Sequence, residues 1–137
     1  MLLKKINYYI YKLKNKFMEK YQEEYKEFIE NYKSGLVTGE RVGEVISRMA
    51  QYFTEANLNF ASALIAFNIE AKRVEETVDE GSGKMISSSK AKVISDASVQ
   101  SQTLIVAKSH VENIEQALNA LKSLQRGIMA EFANGNL

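Results

Sequence analysis

The chain has 137 residues, 45% of them apolar, and a formal net charge of +1. That suits one domain or an extended hairpin with enough apolar side chains to bury a core, and it excludes a disordered chain. With no cysteine, disulfides, Cys-ligated zinc and thiol catalysis are excluded together, which fits a reducing compartment; the expected location is the cytoplasm, a host cytoplasm if the source is viral.

Proline is absent, and the seven glycines fall mostly between periodic segments, the punctuation of a protein made of few, long helices. The first segment places Ile6, Ile10, Leu13, Phe17, Tyr21, Tyr25, Phe28 and Tyr32 at steps of three or four, which predicts an amphipathic helix over about 4–33. Ser34-Gly35 supplies its stop. Lysines crowd residues 1–20, and glutamates follow at Glu23, Glu24, Glu27 and Glu30, so near-neutrality hides a basic arm. Because lysines interrupt the opening apolar residues every few positions, export and membrane spanning are not expected. Basic and aromatic residues together suit a membrane surface or a nucleic-acid strand, although the aromatics also read simply as a buried helical stripe.

Thr38 is a candidate N-cap for the second helix, predicted over about 38–78, with Val42, Ile46, Met49, Phe53, Ala56, Phe60, Ala63, Phe67, Ala71, Val74 and Val78 on one stripe. A second apolar stripe, Leu58, Ala61, Ile65 and Ile69, runs along the same helix, so its middle needs covering on more than one side. Small residues including Gly39, Gly43, Ala61 and Ala66 permit close helix approach and favour a bundle or a ring of subunits. From Asp79 to Lys84 the pattern breaks, and a third helix is predicted over about 88–131, capped from Ser87 to Ser89. It carries Ile94, Ala97, Ser101, Leu104, Val111, Ile114, Leu118, Leu121 and Ile128 and is expected to fold back antiparallel along the second. The expected fold is therefore all-α: a long antiparallel hairpin with an additional N-terminal helix, self-associating. Residues 1–35 form the N-terminal helix and residues 36–137 the hairpin oligomerisation domain.

Catalysis finds little support. His110 is the single histidine, no hydroxyl residue has a candidate activating partner, and the carboxylates lie along helical faces beside lysines. No enzyme, cofactor or metal site is expected; His110 reads as a helix-surface or interface residue. Gly81-Ser82-Gly83-Lys84 lacks the Walker spacing, a hydroxyl residue after the lysine and a preceding strand, so nucleotide binding there is not expected.

A series of cations could meet phosphates: Lys72, Arg73, Lys84, Lys90 and Lys92, the last two beside Ser87, Ser88 and Ser89 at a helix start. Repeated around a ring, such clusters would grip single-stranded nucleic acid in a salt-dependent way; the plainer reading is that they solubilise helix ends. The run Ser89-Lys90, Lys92-Val93 and Ser95-Asp96, the helix ending in Ala120-Leu121-Lys122-Ser123 and Arg126-Gly127, and Ile69-Glu70-Ala71-Lys72-Arg73 resemble the UvsY-type recombination mediators of T4-like phages over about residues 65–130. Where that family continues with basic and aromatic residues, Val74-Glu75-Glu76-Thr77-Val78-Asp79 is acidic. The resemblance implies a small helical phage protein that oligomerises, binds single-stranded DNA through Lys72 and Arg73, and helps load a recombinase onto strands coated by a single-strand-binding protein.

A rival reading makes the chain a helical protein–protein interaction module, such as a virion accessory protein or a phage inhibitor of a host factor, that does not bind nucleic acid. It could engage its partner through Tyr8, Tyr11 and Lys12 of the first helix. In either case Leu58, Phe60, Ile65, Ile69, Val111, Leu118 and Leu121 are the candidate surface for self-association or for a partner. A third reading, a peripheral membrane anchor over residues 1–20, is less favoured.

Overall fold

A chain without proline holds no residue that blocks backbone hydrogen bonding inside a helix, and the computed structural model is all-α. It describes residues 2–135, apart from the side chains of residue 3 and of residues 6–18. Among the described residues four helices follow in order: α1 (Leu2–Lys33), α2 (Gly39–Glu75), α3 (Ser88–Asp96) and α4 (Val99–Ala133).

The ends of α1 and α2 follow from local chemistry. Gly35 adopts a left-handed φ of 72° after α1. This lets the Leu36 N–H bond the Asn31 carbonyl and the Gly35 N–H bond the Tyr32 carbonyl, each at 3.0 Å, which closes the last turn. Three residues on, Thr38 caps α2: its Oγ1 accepts from the Arg41 N–H at 3.2 Å.

Two expected boundaries change. Helix α2 ends at Glu75, short of Val78. Beyond it Val78 pairs with Met85 in an antiparallel bridge, with Asp79 N–H bonded to the Lys84 carbonyl at 2.7 Å and Ile86 N–H to the Thr77 carbonyl at 3.1 Å. Asp79 Oδ1 accepts from the Gly81 N–H at 2.9 Å, and Gly83 takes a left-handed φ of 68°, so this turn has stronger local preferences than another helical turn. The single helix expected over 88–131 is broken into α3 and α4 at Ala97-Ser98. Ser98 Oγ donates to the Ser95 carbonyl at 2.6 Å and accepts from the Ser101 N–H at 3.1 Å, ending one helix and capping the next.

By its contacts the chain divides into two compact units. The first unites Met1–Thr54 with Asn113–Leu137. Its buried side chains include Tyr21 and Phe28 from α1, Val42, Val45, Met49 and Tyr52 from α2, and Ile114, Ala117, Leu118 and Leu121 from α4. A methyl group placed on Gly39 would lie 3.7 Å from Ile128, and one on Gly43 would lie 3.9 Å from Gln125. Within this unit the start of α2 therefore lies against the end of α4. Tyr21 meets Tyr52 at 6.3 Å between ring centroids, and Arg48 forks onto both carboxylate oxygens of Glu24, tying α1 to α2. Ile6, Ile10, Leu13 and Phe17 of the expected α1 stripe have side chains outside the described set.

The second unit spans Glu55–Glu112. It buries Ala56, Ala63 and Val74 of α2, Ala91 and Ser95 of α3, and Ser101 of α4. The α2 register thus holds from Val42 to Val74, while Val78 is exposed beyond the helix.

Candidate partner-binding face

The chemistry of this surface begins with an absence of charge. From Ala56 to Ile69, fourteen successive residues of α2 include no Asp, Glu, Lys or Arg, with Glu55 and Glu70 as the bounding charges. One side of that stretch packs into the second unit through Ala56 and Ala63. The opposite side carries Leu58, Ile65 and Ile69 at 65%, 61% and 67% exposure. Ala61, Ser62 and Ala66 lie exposed among them, and Leu64 flanks the stripe. Spacings of three and four place Leu58, Ser62, Ile65 and Ile69 on one line, so this is a continuous stripe and not scattered surface.

Of the residues expected at an interface, Leu58, Ile65 and Ile69 are the exposed ones; Phe60 and Val111 are partly covered. Leu118 and Leu121, at 7% and 1% exposure, are enclosed by the first unit itself, because α4 turns those positions toward α1 and α2. They are core residues, unavailable to a partner while that unit is folded. Tyr8, Tyr11 and Lys12, the alternative contact residues on α1, have side chains outside the described set.

All five candidate phosphate-binding cations are exposed and belong to the second unit. Three have carboxylates close by. Arg73 forks onto Glu70 at 2.6 and 3.0 Å, Lys92 bonds Asp96 at 2.9 Å, and Lys90 lies 3.8 Å from Asp79. The Arg73 hydrogen bond lowers the Glu70 carboxyl below its ordinary range. Lys72 and Lys84 make no ion pair among the described residues. At the start of α3, Ser87 Oγ already accepts from the Lys90 N–H at 3.2 Å, and in the preceding turn the Gly83 amide bonds the Asp79 carbonyl at 2.8 Å. The five cations share one unit, and carboxylates beside three of them offset part of their charge.

Elsewhere, an open cleft in the first unit is lined by Tyr21, Gln22, Tyr25 and Lys26 of α1 and by Asn113, Gln116, Ala117 and Ala120 of α4. These are phenols, amides and one ammonium, a set without a nucleophile and base in partnership. Among the described residues no group of acidic or histidine side chains converges as a metal site, and no helix is long and apolar enough to cross a membrane.

Sequence reasoning identified the second α2 stripe but passed over Glu55 and Ser62 as members of the same face. The charge-free run between Glu55 and Glu70 was the available signal, since exposed helices rarely omit charge for four turns. No protein-family model, characterised protein or solved structure matches the chain, so the functional reading rests on the chemistry of the surface itself.

Proposed function

We propose that this chain is a non-enzymatic helical interaction protein that works by docking the outer face of α2 against another protein surface. The observation that carries the reading is the exposed, charge-free stripe of Leu58, Ile65 and Ile69. Burying such a stripe gains roughly 25 cal/mol per Å² of apolar area removed from water, and depletion of charge is typical of the centre of a protein–protein interface.

Single-stranded DNA binding, as the UvsY-type resemblance implies, is the second reading. It is favoured by the exposure of Lys72, Arg73, Lys84, Lys90 and Lys92, all within one unit, and it would bring a recombinase or single-strand-binding protein as further partners. It ranks second because Glu70, Asp79 and Asp96 oppose three of the five cations.

Sedimentation velocity at low and high salt, beside fluorescence anisotropy with labelled oligo-dT, separates the two. The docking reading expects no tight binding to dT, and it expects any association of the chain, with itself or with another protein, to persist at high salt and to be lost in Ile65→Lys with helicity by circular dichroism unchanged. Submicromolar, salt-sensitive dT binding that is lost when Lys90 and Lys92 become alanine would replace it with the DNA reading.

A further inference from the structure

The outer face of α2 has a property that singles out one occupant. Glu55, Leu58, Ser62, Ile65, Ile69 and Lys72 follow one another at steps of three, four, three, four and three, the spacing of a coiled-coil seam. The series of steps reads the same in both directions. Apart from the half-buried Glu55, every member of the series is exposed, and neither Glu55 nor Lys72 has an ion pair among the described residues.

When two copies of such a helix are laid antiparallel about a two-fold axis, Leu58 of one chain meets Ile69 of the other and Ser62 meets Ile65. Glu55 then faces Lys72 at each end. Leu58 and Ile69 oppose each other on either side of the centre, the small Ser62 opposite Ile65 lets the backbones approach there, and opposite charges close both ends. Parallel pairing would instead set Glu55 against Glu55 and Lys72 against Lys72.

Resting on the docking reading above, we infer that the partner of this face is a second copy of the chain, bound antiparallel through Glu55–Lys72. The contact extends for about 26 Å of helix at 1.5 Å per residue. It is shorter than the seams of long coiled coils and belongs with small, reversible interfaces, for which a dissociation constant on the order of micromolar is expected.

The test is a charge exchange on the full chain, read as the dimer dissociation constant by sedimentation equilibrium. Glu55→Lys alone, or Lys72→Glu alone, turns two attractive ends into two repulsive ones and weakens the dimer about tenfold. The two substitutions in one chain rebuild both pairs with reversed polarity and restore wild-type affinity. No parallel arrangement, and no partner other than a second copy, predicts that restoration. A dimer indifferent to either single substitution but lost in Ile65→Lys overturns the antiparallel register and leaves the docking face standing. A wild-type chain that stays monomeric at about 100 micromolar, well above the expected ~micromolar constant, overturns the second copy as partner. The dT titration then decides separately whether the face or the cations carry the function.

Discussion

His110 lies half-buried on α4, where burial lowers its ring below the ordinary pKa of about 6.5 by disfavouring the charged form. The unfolded chain then binds a proton more readily than the folded one. Stability is fully present above the unfolded value of about 6.5 and is lost as pH falls from there through the folded pKa. Urea unfolding from pH 7.5 to about 5.5 should therefore show a downward slope that His110→Gln flattens, since Glu70, also shifted downward, titrates in a more acid range. An unchanged slope in that variant would mean that some other group takes up the proton. Sequence could place His110 on a helix but not its degree of burial. The same holds for Val45 and Tyr52, which lie beside the expected α2 stripe and are buried because α1 and α4 widen the covered face. Spacing gives the direction in which a side chain points; how wide a stripe becomes depends on how many neighbours cover it.

At the scale of elements, spacing was sufficient for α1, for the start of α2 and for the cap of α3, because Gly35, Thr38 and Ser87 each carry a local signal that needs no tertiary partner. The break between α3 and α4 was not legible in the same way. Ile94, Ala97, Ser101 and Leu104 keep the three-and-four step across it, so periodicity sees one helix. What divides them is one hydroxyl, Ser98 Oγ, bonded both to the Ser95 carbonyl and to the Ser101 N–H. Replacing Ser98 with alanine removes the cap of α4 and should lower unfolding stability by about 1 kcal/mol. In hydrogen exchange the loss should be concentrated in α3 and the first turns of α4. A variant as stable as wild type, with slower exchange at residues 95–101, would show instead that the two segments join into one helix once the hydroxyl is gone, alanine being the better helix former.

At the scale of the whole molecule, the two units differ in what they bury. The first encloses Phe28, Met49, Ile114 and Leu121, large side chains whose full burial is worth roughly 1.5–3 kcal/mol each. The buried side chains of the second are mainly alanine and serine, with Val74 the largest. A core of small residues brings backbones close but removes little apolar surface from water, so the second unit should open at lower free energy although α2 and α4 each contribute to both. Native-state hydrogen exchange should find the slowest amides around Phe28, Met49 and Leu121, and faster exchange through α3 and the start of α4. Concentration then becomes informative. If the outer face of α2 is covered by a second copy, raising protein concentration slows exchange selectively from Leu58 to Ile69, stabilising the unit that is weakest alone. Equal protection in both units at low concentration would contradict the difference in core size, and the exposed stripe would then have no stabilising part to play.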